Sequence, residues 1–283
     1  MSFAGSPSAK ALIMTFWGDM LLPFGGRIWL GSLVDTMEPL GFDERSVRTS
    51  VHRLMSEGWL RSTKIGRRRE LSMPPPRLAE LRAVQRRMYR RTPLEWDGIW
   101  HIVVMQPATP ARREALRREL HWQGYAALAP NTMIHPRQPW EELLERLEAR
   151  GLRSEIGHAF AARQLSGTSP PAEFWPLDRL AASWTHLGEL AQIGDSRNLS
   201  DAEGFVRRLL IAHALRIAVL RDPALPTEQL RRDWPEHLSS VTEMSAYARL
   251  SDPAQAFVAR FIQLADGSRP RLDPPEVDWR FSH

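Results

Sequence analysis

The chain has 283 residues, of which 43% are hydrophobic and 25% are charged, a composition typical of a globular protein with two or three domains. It contains no cysteine, which excludes disulfide bonds, thiolate metal sites and cysteine nucleophiles. The net charge is +5, but residues 1–92 alone hold 16 Lys and Arg against 8 Asp and Glu. This surplus favours a nucleic-acid-binding module at the N-terminus.

The sequence also bears on where the protein resides. The segment from Met1 to Lys10 lacks the basic start and apolar stretch of a secretory signal. No later run approaches the roughly 18 apolar residues that a membrane span needs. We therefore expect a cytoplasmic protein with no membrane partner, and the absence of cysteine suits that reducing compartment.

The N-terminal region contains three predicted helices followed by a hairpin. Apolar residues at helical spacing predict a first helix over 9–22, which Pro and Gly residues end, and a second over 27–38. Asp43 is the predicted N-cap of a third helix that ends before Gly58. Two short strands around a basic tip follow over 59–71. The order helix, helix, turn, helix, hairpin predicts a winged helix-turn-helix.

The third helix is predicted to be amphipathic. A helical wheel at 100° per residue places four apolar side chains on one face, namely Val47, Val51, Leu54 and Met55. The opposite face holds short polar and guanidinium side chains, which suit base edges in the major groove, and the hairpin tip offers positive charge to phosphate. The predicted DNA-contacting residues are Arg45, Ser46, Arg48, Thr49, His52, Arg53, Lys64, Arg67, Arg68 and Arg69.

Domain boundaries follow from the order of the predicted elements. The winged helix occupies residues 1–73, and an Arg-rich helical connector follows over 74–92. Residues 93–168 read strand, helix, two strands, helix, strand, which is the ferredoxin-like βαββαβ order. A Gly- and Pro-containing linker leads into residues 169–283, with helices near 176–192, 201–220 and 237–249 and a Pro-rich tail. The overall class is α+β.

Signatures of enzymes are missing from the sequence. It has no nucleophile elbow, phosphate-binding loop, dinucleotide fingerprint or zinc-protease helix motif. No two of the nine His residues are three or four positions apart, so a helical metal site is not expected. His101 and His213 lie in apolar stretches and read as core residues. We predict no catalytic residues, no metal and no cofactor.

Motifs along nearly the whole chain resemble the PaaX-like family of phenylacetic acid degradation operon repressors. These are Gly18-Asp19, Trp29-Leu30-Gly31-Ser32-Leu33, Pro39-Leu40-Gly41-Phe42, Glu44-Arg45-Ser46-Val47-Arg48-Thr49, Arg53-Leu54, Glu57-Gly58-Trp59-Leu60, Trp96-Asp97-Gly98, Trp100, Arg216, Arg221-Asp222-Pro223-Ala224-Leu225-Pro226 and Trp234-Pro235. The C-terminal block is the most specific, because an unrelated winged helix would not carry it.

This resemblance implies a homodimeric repressor with a winged helix-turn-helix, a Cas2-like ferredoxin central domain and a mainly helical C-terminal domain. It also implies double-stranded operator DNA as a partner, and an aryl-acyl-CoA effector such as phenylacetyl-CoA that releases the protein from that DNA. Arg216, Asp222 and Trp234 stand in the C-terminal block and are the effector-binding candidates. Helix capping and packing are the alternative roles for these three residues.

Two alternative functions remain open from the sequence. The first is a DNA-binding repressor with no small-molecule effector, whose C-terminal domain serves only dimerisation. The second is a Cas2-like metal-dependent nuclease, which would need a carboxylate at the end of the first central strand. That position reads Met105-Gln106-Pro107, which argues against the nuclease.

Overall fold

A computed structural model describes most of the chain. The described residues are 7–89, 96–136, 139–165, 171–193, 199–226, 230, 234–235 and 245–271. The chain forms two compact units. The first comprises residues 1–92, 185–216 and 238–283, and the second comprises residues 93–184 and 217–237.

The N-terminal region of the first unit contains four helices and a three-stranded sheet. The helices are α1 Ala9–Phe16, α2 Leu30–Met37, α3 Glu44–Ser56 and α4 Pro75–Tyr89, and the strands are β1 Arg27–Trp29, β2 Arg61–Ile65 and β3 Arg68–Ser72. The antiparallel sheet has the order β1-β3-β2. This arrangement is consistent with the predicted winged helix-turn-helix, and residues 90–92 of the predicted connector lie outside the described residues.

Two helix predictions in this region were wrong in detail. The helix expected over 9–22 changes at Trp17 into a π-helical turn that runs to Leu21. The helix expected over 27–38 starts only at Leu30, because residues 27–29 pair with β3 as a strand. Three residues are too few to show the alternation that marks a strand.

The core of the first unit draws on distant parts of the chain. Ile13, Phe16, Leu33 and Val47 from the N-terminal helices share one apolar cluster with side chains from later helices. The later contributors include Phe205, Leu209, Phe257 and Val258. The rings of Phe205 and Phe257 stack with their centroids 4.5 Å apart. The N-terminal helices therefore do not bury their apolar faces by themselves.

The second unit contains the predicted ferredoxin-like order. Its elements are β4 Trp100–Met105, α5 Pro110–Trp122, β5 Ala126–Ala129, β6 Thr132–His135, α6 Trp140–Ala149 and β7 Ile156–Ala162. The four strands form one antiparallel sheet in the order β5-β6-β4-β7. Leu116, Leu120, Leu143 and Leu147 cover one face of this sheet and are fully buried. The prediction of a βαββαβ domain is confirmed.

The C-terminal part of the chain is helical, as predicted. It contains α7 Leu177–Ile193, α8 Asp201–Arg221 and α9 Ser251–Phe261. Most of the helix expected over 237–249 lies outside the described residues, although residues 245–249 are helical. The tail prediction missed α9. Pro253 lies in the first turn of α9, where proline removes no intrahelical hydrogen bond.

Candidate nucleic-acid interface

Helix α3 is held by its apolar face and by its cap. Val47, Val51 and Leu54 are at most 3% exposed. Asp43 caps the helix by accepting a hydrogen bond from the Ser46 backbone N–H at 2.8 Å, and hydrogen bonding to Ser46 lowers the pKa of this carboxyl group. Gly41 takes a left-handed φ of 83° in the preceding turn, which suits glycine. These features fix how the helix presents its outer face.

The outer face of α3 is polar and open to solvent. All six residues predicted there are exposed, namely Arg45, Ser46, Arg48, Thr49, His52 and Arg53. Arg48 pairs with Glu44 through Nε and Oε1 at 2.6 Å, one helical turn away. Met55 is 37% exposed and does not belong to the buried face as predicted. On the helical wheel it lies at the edge of the apolar face, 100° from the fully buried Leu54.

The hairpin of β2 and β3 ends in a basic turn. Gly66 lies in this turn with a φ of 58°, and Lys64, Arg67 and Arg69 are exposed. Lys64 and Arg69 stand opposite each other in the strand register. Like charges at opposed positions destabilise a sheet unless an anion lies between them. The tip is therefore suited to phosphate.

Arg68 differs from its basic neighbours in the hairpin. Its guanidinium lies over the Trp29 ring, 4.2 Å from the ring centroid, and Nη1 donates to Gln263 Oε1 at 3.1 Å. The residue is half-buried. Arg68 thus ties the hairpin to β1 and to the segment after α9. Arg68 was predicted as a DNA contact, and nothing in the sequence indicated its contact with Trp29.

The three effector candidates have different surroundings. Asp222 is buried, accepts from Trp184 Nε1 at 2.9 Å and accepts from the Ala224 backbone N–H at 2.7 Å. Trp234 is 2% exposed. The Nε of Arg216 is shielded from solvent and has no hydrogen-bond partner, and burial lowers the pKa of this guanidinium. Arg216 belongs to the first unit, whereas the other two belong to the second.

Sequence reasoning missed a buried polar cluster in the first unit. Asp19 Oδ1 accepts from Tyr247 Oη at 2.6 Å and from Tyr89 Oη, and Asp19 Oδ2 lies 3.4 Å from Arg208 Nε. Arg208 Nη2 also donates to Tyr247 Oη at 2.7 Å. The signal in the sequence was Asp19, a single acidic residue within the apolar stretch 11–24. A carboxylate that is buried in such a stretch needs polar partners.

The described part of the chain shows neither a metal-binding cluster nor a membrane-spanning helix. No three His, Asp or Glu side chains there come close enough together to hold a metal ion. At the end of β4, the amide of Gln106 donates to the Ser154 carbonyl. Among the same residues, no helix combines the length and the apolar character needed to cross a membrane.

Comparison with known proteins gives matches along the length of the chain. Residues 8–72 match the PaaX-like protein family, residues 93–173 match the PaaX protein central Cas2-like domain, and residues 175–260 match the PaaX-like protein C-terminal domain. The transcriptional repressor PaaX of Escherichia coli strain K12 is 32% identical over 277 residues, which cover 93% of this chain and 87% of the relative. The chain belongs to the PaaX-like family.

This membership confirms the resemblance read from the motifs. The PaaX-like relative is a transcriptional repressor, a non-enzymatic kind of protein, and this supports a role in repression. A solved structure, that of the uncharacterized protein Rv0674 from Mycobacterium tuberculosis, aligns with a TM-score of 0.54 and 19% identity. The alignment covers 89% of this chain and 99% of that chain, and it supports the fold alone.

Proposed function

We propose that this PaaX-like protein is a cytoplasmic, DNA-binding transcriptional repressor of an aromatic catabolic operon of the phenylacetate type. It binds double-stranded operator DNA as a homodimer and leaves that DNA when it binds an aryl-acyl-CoA such as phenylacetyl-CoA. The observation that carries the proposal is the solvent-exposed polar face of α3, whose six predicted contact residues are all accessible. The repressor relative supports it independently.

The proposed DNA contacts follow from side-chain chemistry. A guanidinium can donate to both acceptors of guanine in the major groove, and Arg45 and Arg53 are exposed on α3 for that purpose. Ser46, Thr49 and His52 provide shorter polar contacts on the same face. At the hairpin tip, Lys64, Arg67 and Arg69 supply charge to the phosphate backbone or the minor groove. Arg68 contributes by holding the hairpin in position.

The effector is proposed to act through the geometry of the dimer. Two winged helices that read an inverted repeat must match the spacing of its half-sites. A ligand that binds more tightly to a dimer of different spacing shifts the population away from the DNA-bound form. Arg216 and Trp234 each have a buried N–H without a hydrogen-bond partner, and of these two only Arg216 carries a charge that an anionic ligand would pair with, whereas Asp222 is engaged in capping and packing. Arg216 is therefore the first effector contact to test.

The two alternatives make different demands. A repressor without an effector needs only the DNA-binding face and a dimer contact. A Cas2-like nuclease needs a metal-binding carboxylate at the end of β4, where this chain has an amide at Gln106 that donates to a backbone carbonyl. No observation favours the nuclease over repression.

Fluorescence anisotropy with DNA from the upstream region of the protein's own gene tests the proposal. Specific binding that weakens as salt rises, and that phenylacetyl-CoA reverses, is the expected result. Arg45→Ala and Arg53→Ala should each weaken specific binding about tenfold or more, since one bidentate base contact contributes about 1–3 kcal/mol. Arg146→Ala, on helix α6 of the second unit, is the matched control.

The outcomes separate the alternatives. Specific binding that no aryl-acyl-CoA reverses would favour repression without an effector. Equal losses of specific and nonspecific binding in the α3 variants would indicate phosphate contacts instead of base recognition. Absence of specific binding to any tested promoter would overturn the repressor proposal.

A further inference from the structure

Arg216 is the unusual cation of helix α8. Its Nε is shielded from solvent without a hydrogen-bond partner, and no carboxylate in the described part of the chain forms an ion pair with it. The residue as a whole remains partly exposed, so a small ligand can reach the guanidinium. Burying a charge without a partner is costly, and proteins retain such groups where a ligand supplies the missing charge. The missing partner must be an anion.

Two histidines accompany this guanidinium in the first unit. His213 lies one turn before Arg216 on α8, and its Nδ1 is 3.0 Å from Thr15 Oγ1 on α1. Its Nε2 makes no hydrogen bond with any described residue. His186 on α7 is 48% exposed and lies 3.7 Å from Glu189, its i,i+3 neighbour. Glu189 thus lies beside His186 and forms no ion pair with Arg216.

The electrostatics of these groups agree with their placement. Burial, together with the positive charges of Arg216 and His186, lowers the pKa of His213 to about 4. The protonation of His213 therefore depends on the charge of Arg216. A bound anion would offset the charge of Arg216 and favour the protonated form of His213, which could then donate through Nε2.

We propose that Arg216 and His213 form a binding site for a phosphate group of a small-molecule ligand. A guanidinium offers paired N–H donors that match phosphate oxygens, and a neighbouring imidazole adds a third donor. The inference deepens the proposed function, because a CoA thioester carries phosphate groups whereas phenylacetate carries only a carboxylate. It assigns the recognition of the CoA part to α8.

The test uses the full-length protein and isothermal titration calorimetry with three probes: phenylacetyl-CoA, inorganic phosphate and phenylacetate. Wild-type protein should bind phenylacetyl-CoA, and inorganic phosphate should compete with it. Arg216→Gln should weaken thioester binding at least tenfold, and Arg216→Lys, which keeps the charge, should weaken it less. Arg221→Gln removes one exposed charge at the end of the same helix and should bind as wild type does.

Thermal unfolding separates ligand binding from a structural role. If Arg216 serves ligand binding, ligand-free Arg216→Gln should unfold at the same temperature as wild type or higher, because it no longer buries an unpaired charge. A structural arginine would instead lower the midpoint. His213→Gln is the second variant, and it should weaken thioester binding about threefold or more even if Arg216→Gln does not fold.

The results distinguish this site from the proposed function. Release from operator DNA by phenylacetyl-CoA that is unchanged in Arg216→Gln would overturn the site and leave the repressor proposal intact. Phosphate-bearing probes that bind through Arg216 without releasing DNA would support the site and overturn the effector. If phenylacetate binds through Arg216 as tightly as the thioester, or if no phosphate-bearing probe binds at all, the phosphate site is wrong.

Discussion

His213 shows how one half-buried side chain makes the stability of this protein depend on pH. It contacts Thr15 from α1, while Arg216 on its own helix and His186 on α7 contribute positive charge. Its pKa in the fold is about 4, against an ordinary value of 6.5, and burial is the largest cause. The folded protein therefore holds this imidazole in its neutral form.

We predict that His213→Gln removes part of the loss of stability in acid. The unfolded chain takes up the proton as the pH falls through 6.5, whereas the folded chain takes it up only near 4, so stability is full above 6.5 and falls between these values. This lowering of the pKa corresponds to a loss of about 3 kcal/mol in the free energy of unfolding, at about 1.36 kcal/mol per pKa unit. Urea unfolding of wild type and His213→Gln from pH 7.5 to pH 4 measures this loss.

The exposed His158 provides the control for this measurement. His158→Gln should keep the wild-type dependence of the free energy of unfolding on pH, because this side chain lies exposed on strand β7. If His213→Gln loses stability in acid as steeply as His158→Gln does, the prediction is wrong. In that case other groups govern the acid transition.

At the scale of elements, the hairpin of β2 and β3 divides its basic residues between two tasks. Arg67 and Arg69 are exposed, whereas Arg68 stacks on Trp29 and binds Gln263. Charge at the tip can release counterions from DNA, but a guanidinium bound to the protein cannot do so to the same extent. The same residue type should therefore give different results at neighbouring positions.

We predict that Arg67→Gln and Arg69→Gln each reduce the slope of log K against log salt by about 0.9 for operator DNA. Affinity should fall to a similar degree for specific and nonspecific DNA, because phosphate contacts carry little sequence information. Arg68→Gln should leave this slope nearly unchanged and lower the thermal midpoint instead, since it loses its ring and amide contacts. Anisotropy titrations in salt and thermal unfolding provide both quantities.

A different pattern would reassign the roles. If Arg68→Gln lowers the slope as much as Arg67→Gln does and leaves the thermal midpoint alone, Arg68 contacts DNA and its contact with Trp29 is incidental. If none of the three variants changes the slope, the hairpin does not reach the phosphate backbone.

The elements also show which predictions a single sequence supports. Helix α3 and the hairpin were correct because strong local signals agree there, namely the cap at Asp43, an amphipathic period and a glycine at the tip. The βαββαβ order was correct for the same reason. Strand β1 was missed because its three residues are a strand only through pairing with β3. Such pairing is a tertiary contact that local periodicity does not encode.

Contacts between distant segments were beyond the reach of the sequence. Trp29 donates its backbone N–H to the Gln263 carbonyl at 2.8 Å, and the Ala265 N–H donates to Glu70 Oε2 at 3.2 Å. The segment that follows α9 is thus bonded to β1 and β3. Nothing in the residue pattern of that segment distinguishes it from an exposed tail. Arg68 could be predicted as basic and near the tip, but not as a partner of this segment.

At the scale of the whole first unit, the Asp19 cluster joins four separated parts of the chain. The carboxylate of Asp19 receives the hydroxyls of Tyr89 and Tyr247 and pairs with Arg208, and both charged side chains are 2% exposed. The Arg208 guanidinium also lies over the Tyr247 ring, 4.3 Å from the ring centroid. The helices that complete the apolar core are therefore also fixed by a buried ion pair.

A double-mutant cycle at Asp19 and Arg208 tests the role of this pair. Asp19→Asn and Arg208→Met should each lower the free energy of unfolding by about 3–5 kcal/mol, because each leaves the other charge buried without its counter-ion. The double variant Asp19→Asn/Arg208→Met should be less destabilised than the sum of the two single changes by at least about 1 kcal/mol. Denaturant unfolding of the full chain measures all four proteins. Additive losses would mean that the two charges do not depend on each other and that this ion pair does not fix the later helices to the N-terminal region.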